Sequence, residues 1–346
     1  MVELGPGKGT LMDDMLRTLE SIGQTRGRVQ AVHLVETSAR LREEQKNRLS
    51  SRISEASLHW YDRVEDIPKD GLVVCAFAFE FGLIRMLQTT HLPYLSRTNF
   101  LTQFLSILLR SAIIHMAKLG TYLQYTQKTR GGFQEVLVDI DRTAQTVTTS
   151  SPLVNISPSK PQSSAFCYVL SGPLSPLAHT LGNSSPRFSS VPDGSRIEVS
   201  PTSWGIARTI GELISGGGGG AGLIIDYGDD RAFGSSFRAF QKHKLVDVFH
   251  QPGLCDLTAN VDFAYLKEAF GSTSTHGPIT QHAFLTSMGA PIRLHRLLQG
   301  AKEDETRERL RKGAARLMDL LGMGKQYKVM GVTSGEKQGQ VYPFGV

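Results

Sequence analysis

The sequence predicts an α/β protein organised on a doubly wound parallel sheet, and three observations carry that expectation. The chain opens in the order strand, glycine loop, helix, strand, acid, helix, as such sheets do. GLVVCAFAF (71–79) is a nearly continuous apolar run of the kind buried on both faces of a parallel sheet. A length of 346 residues at 40% hydrophobic suffices for one α/β domain of ordinary size plus a sizeable elaboration.

The elements follow in order. Val2 to Leu4 is a strand stub that runs into Gly5, Gly7 and Gly9, and Thr10 to Leu19 reads as an amphipathic helix. Val29 to Val35 is a second strand ending on Glu36. TSARLREEQKNRL then forms a charged helix opened by Thr37 or Ser38 as cap. SLHWYDRVEDIP is a third strand region with a turn, and GLVVCAFAF a fourth strand. Beyond Glu80 the pattern deteriorates. The apolar run from Phe100 to Leu119 is interrupted by Thr102, Gln103, Ser106, Arg110, Ser111, His115 and Lys118, so it reads as a soluble or poorly ordered helix: a spanning segment wants about twenty mostly apolar residues.

Phe133 to Ile140 alternates as a strand should, whereas Thr143 to Asp193, rich in Ser, Thr and Pro, reads as a loop or disordered insertion. SRIEVSP resumes a strand and SWGIARTIGELI is an amphipathic helix. Gly216 to Gly220 precede the strand GLIIDYG instead of joining a strand to a helix, which fits a flexible connection better than a phosphate loop. The last third is expected to be helical and packed beside the sheet. The expected organisation is therefore a Rossmann-like core over 1–140 with an atypical insert at 82–126, a flexible insertion over 141–195, and the rest of the sheet with a helical C-terminal part over 196–346.

Bulk properties exclude several classes. A net charge of +6 tolerates acidic partners, but Lys and Arg are scattered and never alternate with aromatics, so no nucleic-acid surface is expected. Cys75, Cys167 and Cys255 are odd in number and far apart, without metal-ligand spacing; neither a disulfide framework nor a zinc site is supported, and a reducing compartment fits. No transmembrane segment and no targeting leader are visible. Nothing in the sequence sets the oligomeric state.

The loop Gly5-Pro-Gly7-Lys-Gly9-Thr10 is GxGxG, so the third glycine of a GxGxxG dinucleotide pattern would fall on Thr10. Glycine suits a turn that demands positive φ and a close backbone approach to a ligand, and the following helix start offers unpaired N–H groups. Glu3 lies just ahead of the loop, where a pyrophosphate would meet a like charge. A cationic, amino-acid-bearing cofactor is a better match. S-adenosyl-L-methionine carries an ammonium and a sulfonium, so Glu3, Gly5, Gly7 and Gly9 under its methionine part and Glu36 at its ribose hydroxyls form a consistent set. Asp62, after the third strand, suits the adenine amino group, with Trp60 or Tyr61 available to stack. Asp226 with Tyr227 ends GLIIDYG at the ligand edge of the sheet, with a turn-capping role for Asp226 as the alternative. Asp256 and Asp262 are expected as helix caps, with lining of the substrate cleft as the alternative, His33 as a packed strand residue, and His276 and His282 as residues without the partners of a base.

ELGPGKGTLMDDMLR, VHLVETSARLREEQ, HWYDRVEDIP, GGFQEVLVDID, RIEVSP, GLIIDYG, FRAFQKHKLVDV, PGLCDLTANVDFAYL and GPITQHAFLTSMG, in order from Val2 to about Gly331, together resemble the MidA-type family of mitochondrial protein arginine methyltransferases, the complex I assembly factors. The resemblance implies a Rossmann-like S-adenosyl-L-methionine-dependent methyltransferase sheet with a substrate-facing C-terminal part. It also implies symmetric dimethylation of an arginine in a core complex I subunit, in the mitochondrial matrix. An arginine substrate needs a carboxylate, because its guanidinium stays charged and must be oriented before a nitrogen attacks. Glu80, at the end of the fourth strand, is the candidate, with a solvated strand-end acid as the alternative; no metal is required. Two departures from the family stand out. A region that precedes the glycine loop in the family is missing, and of its (N/H)EFFDALP motif only Glu80 and Phe81 align, as FEFGLIR, before an unrelated stretch to Gln127. An altered transcript is the expectation, and with it a rival function: a catalytically silent assembly protein on the same fold. A nicotinamide-dependent dehydrogenase is the third reading.

Overall fold

The computed structural model describes residues 1–21, 27–69, 113–114, 123–140, 166–171, 175–216, 219–242, 244–335 and 341–345. Two units emerge, one of Met1–Ala117, Ser203–Asp230 and Val261–Val346, the other of Lys118–Thr202 and Arg231–Asn260.

In the first unit, short runs rich in β-branched residues form a parallel sheet, with strands numbered along the chain. β1 (Val2–Leu4) lies between β2 (Val32–Val35) and β4 (Ile113–Ile114), β3 (Leu58–Tyr61) lies outside β2, and β9 (Ala221–Asp229) lies outside β4, all parallel. β13 (Val261–Asp262) pairs with the end of β9, also parallel. The sheet is completed by β15 (Tyr327–Thr333), antiparallel to β9, and by β14 (Ser274–Thr280), antiparallel to β15. The chain leaves β1 for β2 on one side and reaches β4 on the other. The switch point of the topology therefore falls at the carboxyl end of β1, where open α/β sheets bind ligands.

Helix α1 (Thr10–Ser21) buries Leu11, Met12, Met15, Leu16 and Leu19, the stripe that its sequence spacing provides. Fully burying such a side chain stabilises by about 1.5–3 kcal/mol each. Helix α2 (Ala39–Leu49) is capped by the Ser38 hydroxyl, which accepts from Leu41 N at 3.3 Å. It is rich in charged residues, and its buried residues are Gln45 and Leu49, one turn apart. α1 and α2 pack together, as two right-handed crossovers moving the same way along the sheet require.

The second unit is all antiparallel in its pairings. β5 (Gln124–Thr129), β6 (Gly132–Ile140), β7 (Phe166–Leu170) and β8 (Arg196–Val199) form a sheet in the order β7-β6-β5-β8. β10 (Arg238–Gln241), flanked by β11 (Lys244–Val246) and β12 (Asp256–Thr258), forms a smaller one. Tyr125 and Phe237 meet edge to face at 5.6 Å, and Tyr168 tilts against Phe249 at 4.9 Å. The Tyr125 hydroxyl is buried with no hydrogen-bond partner among the described residues; burial first, then the neighbouring Glu198, pushes its pKa up. Tyr125→Phe deletes a polar group that nothing satisfies. Its urea midpoint is expected to stay at or rise above that of the wild type, a gain of about 1 kcal/mol.

Several sequence expectations meet a different structure. The run read as a helix contains a strand at Ile113–Ile114, placed by its β-branched pair in the slot between β1 and β9. The segment read as a loop contains β7, which finds a partner in β6, and two short helices, Pro176–Gly182 and Pro186–Ser189. Each of these helices is opened by a serine cap with proline in its first turn. The last third carries helices Phe263–Ala269, Gln281–Ser287, Ala290–Gly300 and Asp304–Met318, yet it also supplies β14 and β15 to the main sheet. Asp262 is a helix cap, accepting from Tyr265 N at 2.9 Å, whereas Asp256 lies on β12 and caps nothing. GLVVCAFAF, Cys75 and Glu80 lie outside the described residues. Among the described residues no helix is long and apolar enough to cross a membrane.

Candidate cofactor and substrate site

The glycine loop follows directly from β1. Gly5 N donates to Val35 O at 3.0 Å, prolonging the parallel ladder, and Gly9 N closes a turn on Pro6 O at 2.9 Å. Gly5, Gly7 and Gly9 have φ of 63°, 54° and 70°, a left-handed backbone that a side chain would strain. A Cβ on Gly5 or Gly7 would meet nothing within 4 Å, so the loop presents bare backbone to open space. Asp13 N then bonds Gly9 O at 3.1 Å and α1 begins. Among the described residues, the Gly7 and Lys8 amides donate to no protein acceptor. These are the groups an anionic part of a ligand would take.

Glu3 sits in the middle of β1, 2% exposed, with Oε2 lacking a hydrogen-bond partner among the described residues. Burial pushes its pKa up to about 8. A carboxylate held this way is expensive unless a cation meets it.

Glu36 follows β2, and its Oε1 accepts from Ser38 N at 2.9 Å. Asp62 follows β3, and its Oδ1 accepts from the Arg42 guanidinium at 2.6 Å. Arg42 also donates through Nε to the carbonyl of Glu36 at 2.6 Å, so one side chain of α2 braces both positions. Trp60 donates its indole N–H to Gln45 at 2.8 Å, and the Tyr61 hydroxyl pairs with His33 Nδ1 at 2.9 Å. Burial foremost, with the positively charged amino terminus and His59 adding to it, lowers His33 to about 4, so it is a neutral, packed residue near neutral pH.

Asp226 lies within β9, which runs on to Asp229 instead of turning after it; it is fully buried, and its Oδ1 accepts from Tyr227 N at 2.8 Å. Lys328 stands opposite it in the β15 register, with Nζ 3.7 Å from Asp229, and the rings of Tyr227 and Tyr327 meet edge to face at 5.3 Å. His276 pairs with the Thr333 hydroxyl and His282 with the Met318 carbonyl. Since the first five strands of the sheet are parallel, the loop, Glu36, Asp62 and the end of β9 share one edge. Glu80 lies outside the described residues.

Sequence reasoning missed Arg42, Gln45 and Arg48. The available signal was on α2: an amide, Gln45, sharing a face with Leu49 in a mostly charged helix. The residues that are present fit S-adenosyl-L-methionine. The unpartnered buried carboxyl of Glu3 suits its ammonium and the open loop its methionine carboxylate. Among the described residues no group of side chains could hold a metal ion.

Comparison with known proteins agrees with this geometry. Residues 1–279 match the family described as "Putative S-adenosyl-L-methionine-dependent methyltransferase". The chain is 34% identical over 337 residues to the Xenopus tropicalis protein arginine methyltransferase NDUFAF7, mitochondrial, covering 96% of this chain and 67% of that protein. It is 30% identical over 347 residues to the Homo sapiens protein of the same name, covering 94% of this chain and 64% of the relative. The chain thus spans about two thirds of the length of these relatives. Among solved structures, a Burkholderia thailandensis protein superposes with a TM-score of 0.65 at 18% identity, covering 97% of this chain and 74% of its own. Another protein from that organism, bound to S-adenosyl-homocysteine, superposes with a TM-score of 0.62 at 19% identity, covering 97% and 72%.

Proposed function

The chain belongs to this family of S-adenosyl-L-methionine-dependent methyltransferases, and on that premise we propose that it methylates an arginine of a protein substrate. The observation that carries the reading is Glu3, a buried carboxyl whose Oε2 has no hydrogen-bond partner among the described residues, beside a loop of bare backbone. A diphosphate would gain nothing from this buried acid and would oppose its ionisation, whereas an ammonium would favour the ionised form and be held by it. When bound, the cofactor supplies a methyl group activated by its sulfonium. In the loop formed by Gly5, Gly7 and Gly9, the Gly7 and Lys8 amides would hold the methionine carboxylate, while Glu3 would accept from the ammonium, Glu36 from the ribose hydroxyls and Asp62 from the adenine amino group.

Glu80 and Asp226 are the proposed acids of the substrate side. They would orient the guanidinium so that one nitrogen faces the methyl group; as its C–N bond formed, the bond from sulfur to methyl would break, S-adenosyl-homocysteine would leave, and one of the two carboxylates would accept the proton that the nitrogen loses. The mitochondrial names of the relatives, together with the family resemblance of the motifs, support a mitochondrial matrix location. They likewise support symmetric dimethylation of an arginine in a core subunit of complex I as the finer assignment.

Calorimetric titration with S-adenosyl-homocysteine tests the cofactor reading. Saturable binding is expected, weakened at least tenfold by Glu36→Ala; a nicotinamide dinucleotide that bound more tightly would overturn it. The atypical stretch that follows Glu80 favours a second reading, a non-catalytic assembly protein on the same fold. Transfer of labelled methyl to an arginine peptide decides between them, since cofactor binding without transfer sustains the second.

A further inference from the structure

Gln45 is fully buried on a helix whose other side chains are mostly charged, and both ends of its amide are engaged. Nε2 donates to Gly7 O at 2.6 Å, and Oε1 accepts from Trp60 Nε1 at 2.8 Å. The indole only donates and the carbonyl only accepts, so the orientation of the amide is fixed by chemistry. A Cβ on Gly9 would lie 3.2 Å from Gln45 Cγ, which shows how tightly the loop is laid on this side chain.

A trans peptide is planar, with its N–H and C=O on opposite sides. Holding Gly7 O toward α2 therefore turns the Lys8 N–H away from α2. Arg48 Nε takes the next carbonyl, Lys8 O, at 3.0 Å, and Gly9 N takes Pro6 O at 2.9 Å. Every carbonyl from Pro6 to Lys8 is thus drawn back onto the protein. The Gly7 and Lys8 amides are the groups left over.

We propose that Gln45 is a positioning residue for the cofactor site. Clamped by Trp60 of β3, it locks the Gly7–Lys8 peptide plane so that the loop amides face the carboxylate of the cofactor's amino-acid part. Through the same amide it couples the loop to the strand that precedes Asp62. This rests on the reading of the loop as an S-adenosyl-L-methionine site. Without the clamp the peptide is free to flip and present a carbonyl oxygen to an anion, so the effect is on affinity.

The test is the dissociation constant of S-adenosyl-homocysteine for the whole chain, measured by calorimetry well below the melting temperature of each apo variant. Gln45→Met, of similar length but unable to donate or accept here, is expected to bind 10- to 100-fold more weakly. Trp60→Phe, which leaves the amide unanchored, is expected to lose 3- to 10-fold, and the double variant to be no weaker than Gln45→Met alone, because the two residues act as one clamp. A packing role alone would lower the apo melting temperature and leave the dissociation constant in place. Wild-type binding with both single variants within twofold of it overturns the inference. Should Gln45→Met fail to fold, Trp60→Phe decides alone. A wild-type chain that binds no S-adenosyl-homocysteine overturns the cofactor reading and this inference with it.

Discussion

Glu3→Gln is expected to weaken S-adenosyl-homocysteine binding by 100- to 1,000-fold while making the apo protein more stable in alkali. Both effects have one origin. Glu3 is buried, its Oε2 has no partner among the described residues, and burial raises its pKa to about 8. Near neutrality the apo carboxyl therefore holds a proton. An ammonium arriving beside it makes the ionised form the stable one, so binding expels that proton and forms a buried ion pair. Removing one member of such a pair typically costs about 3–5 kcal/mol. Titration at pH 7 in buffers of different ionisation enthalpy reads the proton directly. Release approaching one proton is expected for the wild type and none for Glu3→Gln, and equal release with equal affinity would refute the pairing.

The stability arm has a definite sign. Below about pH 4.5 the folded and unfolded chains both keep the proton, and burial of the neutral carboxyl carries no ionisation penalty. Between that pH and about 8 the unfolded chain has released it and the folded chain has not, so stability falls as pH rises. Over that window, at about 1.4 kcal/mol per unit, the loss amounts to about 5 kcal/mol, fully present above pH 8. Urea unfolding at pH 5 and pH 9 should show the wild type losing this amount relative to Glu3→Gln. Parallel pH profiles for the two proteins would contradict it.

What the sequence disclosed and what it withheld follow from the range of the interactions. β1, the glycine loop, α1, β2, Ser38 as a cap, α2 and β3 were legible because each is set locally, by periodicity, glycine placement or a capping hydroxyl. The two acids Glu3, ahead of the glycine loop, and Glu36, just after β2, were conspicuous by chain position alone. Ile113–Ile114 was hidden because two residues carry no periodicity, and only pairing with β1 and β9 makes them a strand. β14 and β15 were hidden similarly: β15 is a strand by its register with β9 about a hundred residues back in the chain and β14 by its register with β15, while the helices between β14 and β15 dominate the local pattern. Gln45 and Arg42 escaped notice because a side chain that grips a distant carbonyl leaves no mark on the spacing of its own helix.

Glu198→Ala is expected to remove about 3–5 kcal/mol from the second unit, the cost of breaking a buried charged network. Glu198 lies on β8, 5% exposed, and gathers donors far away in sequence. Ser236 N donates to Oε1 at 2.6 Å and Phe237 N at 3.3 Å, while the Ser236 hydroxyl donates to Oε2. That hydroxyl accepts in turn from Asn260 N at 2.9 Å, and Arg238 joins Ser236 O at 2.8 Å to Asn260 Oδ1 at 2.7 Å. One carboxylate therefore pins both ends of the segment that contains β10, β11 and β12. Alanine leaves two backbone N–H groups and a hydroxyl without acceptors, whereas Glu198→Gln keeps one oxygen and should lose roughly half as much, about 2 kcal/mol. Hydrogen exchange localises the effect. Protection at the Ser236, Phe237 and Asn260 amides should fall about 150- to 5,000-fold in Glu198→Ala, in proportion to the lost stability, and protection unchanged at these three amides would show that the carboxylate is not what holds the segment.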